Sequence, residues 1–146
     1  MNHSMATALF QAAALTFEEL GFLFPSENLE PEQQSAALDA AVGIDFRGPF
    51  SGRLVLRLYG DILPMIAANM LGENEPPSPA LQQDVLGELG NVVCGNALPL
   101  IAGRTEVFQL SAPCPLSDTG EGEVASAQAQ IGLEQGRADI ALFIEK

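Results

Sequence analysis

Residues 84–96, "DVLGELGNVVCGN", set three polar side chains into an apolar run: Asp84, Glu88 and Asn91, at spacings of four and three. On a helical wheel at about 100° per residue, Asp84, Glu88, Asn91 and Gly95 fall within an arc of about 60°. Leu86, Leu89, Val93 and Leu100 lie opposite, with Val85 and Val92 on one flank. Two carboxylates and a carboxamide on one stripe could form the ordinary wet face of a surface helix. Asp84 and Glu88, one turn apart, could also reach one divalent ion. Two carboxylates and an amide are too few for an all-protein Ca²⁺ cage, however, and Mg²⁺ sites usually borrow substrate phosphates, so no metal is assigned. A carboxylate pair can hydrolyse glycosides, but a sugar cleft wants binding aromatics, and the chain has one Tyr and no Trp.

Three details argue against an incidental wet face. The arc carries no Lys or Arg to pair with its acids. It is bordered by small residues, Gly87, Gly90, Cys94 and Gly95. Each glycine costs a helix interior about 1 kcal/mol relative to Ala, so something should approach this backbone closely: a partner, or a second helix of the same chain. Asn96 falls near 120° on the wheel, on the apolar side. A buried amide there must be hydrogen-bonded, which suits a tie to a neighbouring helix.

The chain that must position these residues has 146 amino acids, which suits one domain over residues 1–146. Six basic residues face nineteen acidic ones, a formal charge of −13. No basic patch for nucleic acid can be assembled, and an anionic membrane surface is equally unsuited; a cationic or neutral partner is easier to accommodate. His3 is the only histidine, which removes His-based catalytic triads and His-dominated zinc sites. Cys94 and Cys114 form no Cys-x-x-Cys motif and suggest a reducing cytoplasm, although the sequence leaves a disulfide between them open. The N-terminus lacks a basic leader and reads as a helix rather than a signal peptide. No apolar run approaches about 20 residues, so no membrane span is expected.

The first helix runs from a Ser4 cap to about Phe22, with Leu9, Ala13, Phe17 and Leu20 on one stripe, and Gly21 and Pro25 close it. "SENLEPEQQSA" is a polar connector. Residues 38–47 and 52–59 read as a β-hairpin, in which Leu54, Leu56 and Leu58 alternate with Val55, Arg57 and Tyr59. A short helix follows with Asp61 as N-cap and Pro64 in its first turn. Ser78 and Pro79 open the long helix, which reaches about Ala102 with a kink or break expected where the Pro99 ring meets the Gly95 carbonyl. "TEVFQLSAP" reads as one strand, "DTGEGE" as an acidic loop, and "VASAQAQIGL" and "ADIALFIEK" as two strands joined by "EQGR". The order α-β-β-α-α-β-β-β predicts an α+β fold, an antiparallel sheet packed against helices.

Asp84-x₃-Glu88-x₂-Asn91, followed after 21 residues by Pro113, resembles the signature of the CheC/CheX/FliY family of chemotaxis phosphatases, and "ELGNVVCGNAL" is similar to the helix that carries it. The likeness covers nearly the whole chain. A single Glu-x-x-Asn motif, where CheC-type members typically have two, is closest to CheX. The resemblance implies a phosphatase of aspartyl phosphate on a CheY-type receiver domain, which itself holds Mg²⁺ and a lysine on the phosphoryl oxygens; this chain would bring no cofactor. It implies that Asn91 orients the attacking water, because a carboxamide both donates and accepts and adds no charge near the phosphoryl group. Glu88 would dock on the receiver lysine, Asp84 would support, and Pro113 would shape a strand end. A homodimer is implied in the same way. The alternative is a non-catalytic module that binds a receiver or flagellar-switch protein through the same helix. A third reading, an unrelated small-ligand domain, would place its pocket between sheet and helices, away from Asn91.

Overall fold

A computed structural model describes residues 2–117 and 124–145, with side chains from residue 4; the acidic stretch "DTGEGE" lies outside the described residues. Strand β1 (Leu38–Arg47) and strand β2 (Gly52–Tyr59) form the expected hairpin, in register from Ala40↔Leu58 to Phe46↔Gly52. Strand β6 (Gly136–Ile144) pairs with β2 along its whole length, and β5 (Ala127–Leu133) pairs with β6. Two short strands, β3 (Gln109–Leu110) and β4 (Cys114–Leu116), share the outer edge of β1. All pairings are antiparallel, in the order β3-β1-β2-β6-β5 with β4 also on β1. The α+β class and the element order are as the sequence predicts.

Because side chains alternate along a strand, Leu54, Leu56 and Leu58 point to one face with Val42, Ile44, Ile131, Ile140 and Leu142, all essentially sealed from solvent. Two helices cover that face: α1 (Asn2–Glu19) lies over β5, and α4 (Pro79–Ala102) lies beside α1 and over β1. Leu9, Ala13 and Phe17 of the predicted α1 stripe are fully buried. By length and composition alone α4 could cross a membrane; here it is the core helix of the sheet, with Val85, Leu86, Leu89, Val93, Ala97 and Leu98 buried. The opposite face carries the paired charges Asp45–Arg53 and Asp139–Arg137.

Several local expectations are corrected. Asp61 does not cap α3 (Leu63–Leu71): it sits at φ 57°, and the Leu63 N–H donates instead to Asp39 Oδ2 of β1 at 3.5 Å. Helix α1 spans Asn2–Glu19, so Ser4 lies inside it rather than at its cap and it stops short of Phe22; the chain turns at Gly21 as expected, and Phe22, 69% exposed, adopts φ 56°. The connector before β1 contains a four-residue helix, α2 (Pro31–Gln34), whose buried Gln33 donates to the Glu134 carbonyl. Pro99 does not break α4. It removes only the bond to Gly95, which is exposed, so the freed carbonyl has access to water. Leu100, placed on the core face by the wheel, is 49% exposed near the end of the helix. Of the strand expected over 105–113 only β3 forms; β4 lies beyond it, with Ser111, Ala112 and Pro113 between the two.

Candidate functional site

The long helix starts where the sequence places it, with the Leu81 N–H donating to Ser78 Oγ at 3.3 Å and Pro79 at the first helical position. Its orientation is then fixed by the buried apolar side and by a polar tie. Asn96 Nδ2 donates to Thr16 Oγ1 of α1 at 3.4 Å, and Thr16 Oγ1 donates in turn to the Ala12 carbonyl at 2.7 Å. The amide expected to bind α4 to a neighbour does so. Asp84 and Glu88 are consequently exposed and Asn91 half-buried on the opposite side.

The facing wall comes from the edge of the sheet. Phe46, Phe50 and Phe108 meet edge to face, with ring centroids 5.1–5.9 Å apart, and this cluster pins the chain as it arrives at β3. Phe46↔Leu110 pairing, the bond from Ser111 N–H to the Asp45 carbonyl at 2.9 Å, and Gly43↔Cys114 pairing then fix both ends of a short excursion. Pro113 sits in that excursion, directly above Gly87. A Cβ on Gly87 would come within 3.1 Å of Pro113 Cγ.

Between helix and edge runs a groove of about 340 Å³. Asp84, Glu88 and Asn91 line its helix side with Gln83 and Gly87; Pro113, Pro115 and Val42 line the other. All four residues singled out in the sequence, Asp84, Glu88, Asn91 and Pro113, therefore meet in one place. Gln83, Pro115 and Val42 were not singled out. Gln83 lies off the polar arc, and Val42 enters only through its pairing with Pro115, which no local pattern reveals. The Pro-Cys-Pro spacing was a usable signal, since residues two apart in a strand share a face.

Asp84, Glu88 and Asn91 form no side-chain hydrogen bond or ion pair among the described residues. Among the described residues no Lys, Arg or His lines the groove, and its carboxylates have no cationic partner there. Among the described residues no three His, Cys, Asp or Glu side chains gather around a possible cation position. The two cysteines are not bonded: Cys94 is buried, its thiol pushed up to about 12 by desolvation, and Cys114 is exposed.

The glycines of α4 divide. Gly90 admits β1, since its Cβ would lie 3.0–3.2 Å from Val42 and Ile44, and Gly87 admits Pro113. The backbone approach expected from a partner or a second helix is at these two positions made by the sheet and its edge. Gly95 alone of the three faces open space.

Residues 40–134 match the family model described as chemotaxis phosphatase CheX. No curated protein matches by sequence. Among solved structures, the chemotaxis protein CheX from Vibrio vulnificus is 19% identical with a TM-score of 0.74, covering 97% of this chain and 96% of that one. A chemotactic CheC-like protein from Shewanella oneidensis MR-1 is 24% identical, with a TM-score of 0.68 over 99% and 100% of the two chains. The Borrelia burgdorferi CheX–CheY–BeF3–Mg²⁺ complex contains a chain 11% identical, with a TM-score of 0.66 over 96% and 97%. At these identities the structures share the fold, and the family match spans well over half of the sequence: the chain belongs to the chemotaxis phosphatase CheX family.

Proposed function

We propose that this protein binds a CheY-like receiver domain and accelerates hydrolysis of its aspartyl phosphate, in the cytoplasm and without a cofactor of its own. The observation that carries the reading is the convergence of Glu88, Asn91 and Pro113 on one open groove, with the two polar side chains unspent on internal bonds. The similarity to a CheX chain that forms a complex with CheY, BeF3 and Mg²⁺ supports the partner class. In the proposed reaction the receiver's Mg²⁺ and lysine neutralise the phosphoryl oxygens. Asn91 holds a water in line with the bond between phosphorus and the aspartyl oxygen. The water oxygen bonds to phosphorus, the phosphorus–aspartyl bond breaks, and the aspartate leaves as a carboxylate while the water's proton stays with inorganic phosphate. Catalysis of this kind is positioning, which asks for a carboxamide on a rigid helix and nothing more reactive. Glu88, one turn away, pairs with the receiver lysine and sets the register. Asp84, exposed at the groove's end, has a supporting role.

The test is phosphate decay on purified receivers. Asn91→Ala should lose acceleration by about 10²-fold, the usual loss for one transition-state hydrogen-bonding group, with an unchanged circular dichroism spectrum. Full activity in that variant sinks the mechanism. Glu88→Lys should raise KM by opposing the receiver lysine. Binding with no change in phosphate lifetime would instead make the chain a non-catalytic receiver-binding module.

A further inference from the structure

The groove at Glu88 and Asn91 does not end at the helix. Gln83 and Pro115, two of its lining residues, also line a second groove of about 380 Å³. This second groove runs over the start of β1 and the end of β4, where Leu38, Asp39, Leu116 and Ser117 form its walls. Both walls belong to the paired strands β1 and β4, through Ala41↔Leu116 and Val42↔Pro115, so the groove is part of the sheet's architecture.

Its charge has one sign. Among the described residues, the charged ones lining the two grooves are Asp39, Asp84 and Glu88, with no Lys, Arg or His. Asp39 accepts from the Leu63 N–H and is otherwise without a cation among the described residues. Desolvation beside α3 raises its pKa despite the backbone bonds that stabilise its anion. Asp39 is exposed, so an incoming cation can reach it.

We infer that the docking surface continues past Gln83 and Pro115 into this second groove, which takes a basic segment of the same receiver partner and sets which receiver is accepted. The inference rests on the phosphatase reading and extends it from the reacting atoms to partner choice.

The test uses the full chain and a panel of purified receiver domains phosphorylated with a small-molecule phosphodonor. Ser117, which lines the second groove alone, is exposed, so charge can be added there without disturbing the core. Ser117→Arg should raise KM about tenfold for a receiver the wild type dephosphorylates, with kcat held within about twofold. The rise should shrink with added salt, and Ser117→Asp should leave KM equal or lower. Unchanged KM in Ser117→Arg overturns the second contact while leaving the Asn91 reaction standing. Equal rises for Arg and Asp overturn the basic character of the occupant. No acceleration by the wild type on any receiver overturns the phosphatase reading, and this inference with it. A measurement without substitutions closes the case: hydrogen exchange of the wild type with a beryllofluoride-activated receiver should show protection at residues 38–41 and 115–117 as well as on α4. Protection confined to α4 refutes the extension.

Discussion

Alanine substitution at the three inner glycines of α4 should give three different results, although all three sit in one helix and gain the same propensity. That gain is about 1 kcal/mol per Gly→Ala change. At Gly95 nothing lies within 4 Å of the new Cβ, so the gain is kept. Gly95→Ala should stabilise by about 1 kcal/mol and raise Tm by about 3 °C for a chain of this size. At Gly90 the methyl meets Val42 Cγ1 at 3.0 Å and Ile44 at 3.2 Å, and both side chains are locked in the core. Overpacking of this kind costs about 1–3 kcal/mol, which cancels or exceeds the gain, so Gly90→Ala should lose up to about 2 kcal/mol. At Gly87 the obstacle is Pro113, a half-buried residue between two short strands that can yield by a few tenths of an ångström. There the stability change should stay near zero, but Pro113 moves and the groove narrows. If the proposed reaction holds, a small misplacement next to the water that Asn91 positions is costly, so phosphate decay should slow severalfold in Gly87→Ala while its urea midpoint barely shifts. Urea unfolding followed by circular dichroism ranks the three. If Gly90→Ala proves as stable as Gly95→Ala, the account of these glycines as clearance for the protein's own sheet is wrong.

Two further perturbations probe the same structure. Cys114 should react with a thiol reagent in the native protein and Cys94 only on unfolding, because Cys94 is sealed in the core with its thiol pushed up to about 12; one thiol titrating natively and two in denaturant is the expected count, and two reacting natively would refute the burial. Asp45 is held below its ordinary carboxylate pKa chiefly by the Arg53 hydrogen bond at 2.7 Å. A depressed folded pKa contributes stability above the unfolded value of 3.8, and that contribution disappears as pH falls through the folded value. Asp45→Asn should therefore cost under about 1 kcal/mol at pH 7, since the pair is exposed, and its urea curve should converge with the wild type's in acid; a difference that widens in acid would contradict the sign.

What was legible in the sequence follows periodicity. Alternation placed β1 and β2 to the residue because "GRLVLRLYG" is strict and bounded by glycines. The helix pattern over 79–102 separated a core side from the stripe of Asp84, Glu88 and Asn91, and even located Asn96 as a polar tie. The misses that bear on the site are contacts between distant segments. Asp39 replaces Asp61 at α3 because the hairpin delivers a carboxylate that no local rule anticipates. The glycines looked like room for a partner, since nothing in residues 84–96 reveals that Pro113 and β1 fill two of the three spaces. The strand expected at 105–113 shrinks to β3, while the Phe46–Phe50–Phe108 cluster and the prolines hold β3 and β4 at different places along β1.

Pro115 also decides how the groove can be used. An outer strand normally offers unpaired N–H and C=O groups to any incoming strand. Pro115 lies within β4, opposite Val42. Proline survives in such a strand when its missing N–H is on the solvent side, so at that point the edge has no donor to give. A partner arriving here cannot simply extend the sheet; it must be met by side chains and shape. Those side chains stand on α4, whose other face is anchored by Val85, Leu86, Leu89 and Val93 and whose turn toward α1 is set by Asn96. Holding a water in line with a breaking bond tolerates errors of about 0.5 Å, a demand that a loop in this position could not meet. A core-anchored helix facing an edge closed to strand addition therefore favours docking through Glu88 and chemistry through Asn91 over main-chain recognition at the sheet.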